Sequence, residues 1–289
     1  MQSEAPPKLI ALTNALWIPG RILFSLAIVA LGFETIVCAR IGGHFLGPGP
    51  PVIPCLPWLP AIPTVAGIFG SIWAICGMGL FAHRNILAAR ALGTLLVLCG
   101  LVTILPKCLT DPLNIPLRTS LFQVLALACI AFLQRGRSSH PLWLELTSRV
   151  LLGISLTVFG LDHFLARQNM AALLPQWIPS REIIVEVCGG VLVLGGLCVA
   201  AGQIQRWAPA ALGLMFAAWV GILHLPRVLG IYTGPDAIQD PNEWSNLIVV
   251  IGLWGGMWTL VRRYVHENRD AERPIYAGRA TGESRRRLS

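Results

Sequence analysis

Apolar runs long enough to cross a bilayer recur along the whole chain, and no other feature of the sequence restricts its fold as strongly. A spanning helix needs about twenty mainly apolar residues to cover roughly 30 Å of hydrocarbon. Eight runs qualify: Trp17–Cys38, Ile62–Ala82, Leu87–Leu105, Leu117–Gln134, Arg149–Arg167, Glu182–Gly202, Trp207–Val228 and Trp244–Val265. Only 12% of the 289 residues are charged, where soluble domains carry about a quarter, and 55% are hydrophobic. Backbone polar groups in lipid must pair internally, and the alternating strand pattern of a barrel is missing, so these runs are predicted to be helices. The expected fold is all-α, a polytopic membrane protein.

An even number of spans puts both ends of the chain on one side. That side collects Lys8, Arg21, Arg84, Arg90, Arg135, Arg137, Arg149, Arg206, Arg262 and Arg263, against Arg40, Lys107, Arg118, Arg167, Arg181 and Arg227 on the other. The excess predicts cytoplasmic termini. The net charge of +8 owes much to the tail, 266–289, which ends in "ESRRRLS". Such a tail enforces topology or meets anionic headgroups. A nucleic-acid partner is not expected, because no aromatic interleaving or recognised fold accompanies the basic residues. The first run is longer than a signal-peptide core and lacks an A-x-A site, so it reads as a retained helix.

The sequence repeats itself. "GRILFSLAIVALGFETIV" from Gly20 lies over "SRVLLGISLTVFGLDHFL" from Ser148, matching Arg21 to Arg149 and Gly32 to Gly160. "LPWLPAIP" from Leu56 lies over "LPQWIPSR" from Leu174. Gly70 and Gly77 match Gly189 and Gly196, and Leu105-Pro106-Lys107 matches Leu225-Pro226-Arg227. With four helices in each half, the halves enter from the same side and are related by an axis along the membrane normal. The predicted layout is a segment 1–16, a four-helix bundle 17–134, a polar linker 135–142, a second bundle 143–265 and the tail. The paired glycines, seven residues apart, fall on one helical stripe where a neighbouring backbone can approach. Trp17, Trp58, Trp143, Trp177, Trp207 and Trp244 fall at helix ends and read as an interfacial belt.

The eight cysteines form no C-x-x-C motif, and most lie inside predicted helices as small apolar residues. Cys55 and Cys108 share the outer side, and the sequence alone does not decide whether they bridge.

Polar groups collect at one depth. Asp162 and His163 lie near the outer end of the fifth predicted span, and Glu186 about one turn inside the sixth. His224 and Arg227 end the seventh, and Glu243, Trp244 and Asn246 begin the eighth. Intramembrane ionisable groups are costly and usually face the bundle interior with partners, so these eight residues are the candidate ligand-binding cluster. Arg227 is the expected cation for Asp162 or Glu186. The first half lacks the set: Asp162 becomes Glu34, His163 becomes Thr35, Glu186 becomes Gly67 and His224 becomes Ile104. Snorkelling groups that merely fix packing give the competing reading. Two histidines without metal-ligand spacing, and no nucleophile paired with a base, leave metal and catalytic residues unassigned.

Ser148 to Gly196, with its opening Arg, the Gly and polar pair at the helix end, the P-x-W-I-P loop and an acid before Gly-Gly, resembles the DoxX-like family of small bacterial and archaeal membrane proteins. "LHLPRVLG" and "NEWSNL" extend the resemblance over most of the second half, whereas the family has four helices and this chain has two such units. The resemblance implies the bacterial cytoplasmic membrane and a non-catalytic subunit or anchor of a membrane redox complex. A membrane redox protein is the implied partner besides the bilayer, and quinone the one implied cofactor. A transporter using Asp162, Glu186 and His224 as titratable groups is the alternative, though the cluster is shallower than the midplane sites of transporters. An enzyme using the same groups for acid-base chemistry ranks last.

Overall fold

The computed structural model describes residues 7–40, 63–81, 86–134, 141–202, 207–233 and 243–261. Among them there is no strand. Nine helices follow in order: α1 Pro7–Arg40, α2 Pro63–Phe81, α3 Ile86–Thr110, α4 Ile115–Leu133, α5 Leu142–Leu165, α6 Arg167–Leu173, α7 Arg181–Ala201, α8 Trp207–Val228 and α9 Glu243–Val261. Seven are long and apolar enough to cross a membrane, namely α3, α4, α5, α7, α8, α9 and the Ala15–Val37 part of α1. α2 is 19 residues long, with its described apolar stretch at Gly67–Phe81. All but the last residue of the predicted loop at "LPWLPAIP" ahead of α2, most of the linker and the tail lie outside the described residues.

Two helices run on where a proline predicts a stop. In α3 the Leu105 N–H bonds to the Gly100 carbonyl, and in α8 the Leu225 N–H bonds to Val220, five residues back in both cases. Pro106 and Pro226 follow at once. A proline ring lacks an N–H and crowds the carbonyl four residues earlier, so an ordinary turn cannot continue there. Widening it to a π turn relieves the clash and keeps the helix axis going. Both π turns fall on the repeated Leu-Pro-[Lys/Arg] sequence.

Close glycine contacts set the packing. α1 lies along α2, and a Cβ added to Gly32 would sit 2.5 Å from the Gly70 carbonyl oxygen. α5 lies along α7 in the same manner: a Cβ added to Gly160 would sit 2.5 Å from the Gly189 carbonyl oxygen, and one added to Gly153 2.5 Å from that of Gly196. Without a hydrophobic drive between helices in lipid, dispersion contact of this closeness is a main source of association. α1 also meets α9 through Gly20 and Gly255, while Gly252 and Gly256 of α9 rest on Leu127 and Ile130 of α4. The core therefore sits where α1, α4, α5 and α9 meet, around Phe24, Ile28, Leu127, Ile130, Leu152, Leu156 and Met257. α9 is 67% buried and α7 and α8 only 33%, so the last two turn most of their surface to lipid.

The short α6 was not expected. Ala166 leaves the helical region (φ −112°, ψ 26°), so the chain turns there and the seven residues of α6 lie between the end of α5 and the start of α7.

Candidate functional site

Asp162 is buried to 1% exposure near the C-terminal end of α5. Its cation is Arg118, from the first turn of α4, and not Arg227 as the sequence led us to expect. The start of α4 is fixed by Asn114, whose Oδ1 accepts the Leu117 N–H at 3.1 Å, with Pro116 in the first turn. This places Arg118 and Thr119 against α5. Arg118 donates Nε to Asp162 Oδ1 at 2.9 Å and its Nη2 to the same oxygen, while Thr119 Oγ1 donates to Oδ2 at 2.9 Å. Both carboxylate oxygens are thus occupied, which offsets much of the desolvation cost of the acid.

Glu34 stands where the repeat alignment puts Asp162, and it too is buried and bonded across the bundle, accepting a hydrogen bond from Ser245 of α9. Its neighbour Thr35 bonds to the Leu31 carbonyl at 2.8 Å, as His163 bonds to the Phe159 carbonyl at 2.7 Å. A carbonyl can only accept, so the His163 proton sits on Nδ1. The imidazole stacks on Trp219 of α8, centroids 5.1 Å apart and planes 18° apart. Adjacent positions on a helix point about 100° apart, and this sends Asp162 toward α4 and His163 toward α8.

The remaining candidates join in different pairs. Arg227 donates Nε to both Glu243 oxygens at 3.0 Å, tying α8 to α9, with Arg227 Nη1 3.5 Å from the Leu173 carbonyl of α6. Glu186 pairs with Arg167 at 2.9 Å, and Glu182 lies 3.4 Å from the same guanidinium. The hydrogen bond that Arg167 donates to Glu186, then the charge of Glu182, hold the exposed Arg167 above the usual guanidinium range. Trp244 and Asn246 are half-buried on α9 beside Glu243. His224 falls in the π turn of α8, with Nδ1 buried and unbonded among the described residues.

One layer, at the C-terminal ends of α5 and α8, therefore holds five of the predicted residues in separate groups: Asp162 with Arg118 and Thr119, Arg227 with Glu243, Glu186 with Arg167, and His163 with Trp219. The sequence reading missed Arg118, Thr119, Glu34 and Ser245. A polar residue in the first turn of the fourth span of each half, level with the acid of the first span, was the signal present for three of them. A cleft of about 490 Å³ opens beside this layer between α6 and the start of α7, lined by Gln168, Ala171, Ser180, Arg181 and Glu182. Cys108 is a free thiol, and Cys55 lies outside the described residues.

Comparison with protein-family models, with curated proteins and with solved structures finds no match for this chain.

Proposed function

We propose that the chain is an eight-span membrane protein of two tandem DoxX-like four-helix units. In this reading both termini are cytoplasmic, and the protein serves as a non-catalytic subunit or anchor of a quinone-linked redox complex in a bacterial cytoplasmic membrane. The tandem reading is supported by the recurrence of three features in each half: the glycine contact between the first two helices, the π turn before Leu-Pro, and an acid bonded to a hydroxyl of the other half. α2, at 19 residues, is about 28 Å long, enough for the eighth span.

The observation that carries the anchoring role is that Asp162 is closed off on both oxygens by Arg118 and Thr119. A transport or acid-base site needs an acid with a free lone pair facing its substrate. A closed pair instead fixes how helices sit, which suits a rigid scaffold. The redox and quinone assignment rests on the family resemblance of the second half.

Gentle affinity purification from native membranes, followed by identification of proteins and quinone in the purified fraction, tests this reading. A respiratory or quinone-reactive protein recovered in fixed proportion is the expected result. Unchanged quinone-dependent respiration on deletion, with no protein partner recovered, overturns it.

A further inference from the structure

The opposite end of the bundle, where α1 and α5 begin, has a different charge pattern. Of the described acids, only Glu145 lies at that end; Glu34, Asp111, Asp162, Glu182, Glu186 and Glu243 all lie at the other. Arg21 and Arg149 stand there at matching positions of the repeat, each roughly two turns inside an apolar span. Neither guanidinium is neutralised by an acid among the described residues. Among the described residues Arg21 Nε and Nη1, which are buried, meet no hydrogen-bond partner, and neither does the buried Arg149 Nε. Arg21 packs over the Trp17 ring at 4.8 Å. Arg149 fills the space beside Gly202, where an added Cβ would meet Nη1 at 2.8 Å. Gly202 ends α7, so the negative end of that helix dipole faces the guanidinium, yet no carbonyl among the described residues accepts from it. Glu145 lies one turn below Arg149 on α5 and is buried.

An arginine with buried, unbonded N–H groups in an apolar span is incomplete without an anion, because charged donors left unpaired in low dielectric are costly. Helical side chains lean toward the helix N-terminus, so both guanidiniums reach back to the level where headgroup phosphates lie. The guanidinium fork matches a phosphate oxygen pair. We propose that Arg21 and Arg149 are twin phosphate sites, one in each half of the repeat, occupied by the headgroups of acidic phospholipids of the adjoining leaflet. This inference is independent of the redox assignment and needs only that the chain spans a membrane. The two sites give the protein a lipid requirement at one face, where juxtamembrane basic residues already favour an anionic surface.

The test is native mass spectrometry of the full chain released from vesicles of equal phosphatidylglycerol and phosphatidylcholine. The expected wild-type species carries two phosphatidylglycerol molecules, Arg21→Gln and Arg149→Gln each carry one, and the double variant carries none. Arg149→Lys, which keeps the charge and loses the fork, should hold its lipid about tenfold more weakly. A parallel arm adds inorganic phosphate to lipid-stripped protein. Retention of phosphate in place of phosphatidylglycerol upholds the anion sites and makes free phosphate their occupant. Unfolding temperature in phosphatidylglycerol versus phosphatidylcholine vesicles guards against a misfolded variant: the wild type should gain several degrees from the acidic lipid and a folded double variant none. A wild type that retains neither anion, or a double variant that keeps both lipids and the full gain, overturns the proposal.

Discussion

Glu34 of α1 accepts a hydrogen bond from Ser245 of α9, and the matching acid of the repeat, Asp162 of α5, accepts one from Thr119 of α4. Each acid reaches a helix of the opposite half of the sequence. The two contacts differ in charge: Asp162 also holds Arg118, whereas the residue before Ser245 is Trp244. This difference separates a buried ion pair from a hydroxyl bond, and the two respond to substitution on different scales.

Breaking the Asp162 pair is expected to be costly and asymmetric. Arg118→Leu leaves a carboxylate at 1% exposure with no cation and should lose about 3–5 kcal/mol. Asp162→Asn strands a guanidinium that is 24% exposed, where water reaches it, and should lose nearer 2 kcal/mol. The double Leu variant should lose less than the sum. Unfolding in detergent by chemical denaturant measures all three, and strictly additive losses would show that the pair contributes no coupling.

Glu34 should tolerate neutralisation. Gln keeps an oxygen that accepts the Ser245 hydroxyl, so Glu34→Gln is expected to change stability by less than about 1 kcal/mol, and Ser245→Ala to lose about 1 kcal/mol. The same assay decides it: a loss for Glu34→Gln as large as that for Arg118→Leu would mean that Glu34 answers a cation.

Glycine substitutions should separate contact from exposure within the same fold. A Cβ on Gly160 would meet the Gly189 carbonyl oxygen at 2.5 Å and Val193 Cγ2 at 2.6 Å, so Gly160→Ala must push α5 and α7 apart, at about 2 kcal/mol or more. A Cβ on Gly190 meets nothing within 4 Å. Gly190→Ala should therefore be neutral or stabilise α7 by up to about 1 kcal/mol through helix propensity. A thermal melt of the two variants side by side reads the contrast, and equal losses would contradict the α5–α7 contact.

The seven long apolar helices were legible because hydropathy needs only composition and length. The glycine stripe was legible for a related reason: spacing alone puts Gly189 and Gly196 on one side of a helix. Depth was legible too, since 1.5 Å per residue brings Asp162, His163, Glu186, His224 and Glu243 to one layer. Lateral position was not. Whether Asp162 turns toward α4 or α8 depends on which helices neighbour α5, and the sequence order hid that α4, from the other half, packs directly on it. Arg118 was read only as a marker of topology for that reason. The starts of α1 and α5 ran earlier than the hydropathy indicated, since polar residues such as Glu145 and Ser148 are buried inside α5. Pro106 looked like a terminator because a π turn is invisible to propensity.

His163 and His224, two imidazoles of the outer layer, should respond in opposite directions. His163 gives its Nδ1 proton to the Phe159 carbonyl and lies flat on Trp219, so His163→Leu loses a hydrogen bond and a stacked ring pair, together about 1–2 kcal/mol. His224 holds a buried Nδ1 that nothing among the described residues satisfies, in the π turn that Pro226 imposes on α8. Replacing an unsatisfied buried polar group by an apolar one of similar size removes a desolvation penalty, and His224→Leu is expected to be neutral or to stabilise by about 1 kcal/mol. A variant that keeps its stability at this position would place the role of His224 outside packing. The partner assay of the proposed function then completes the argument: His224→Leu should keep or raise the unfolding midpoint while reducing recovery of the redox partner or quinone. A variant that loses stability and keeps full recovery would show that His224 serves packing alone.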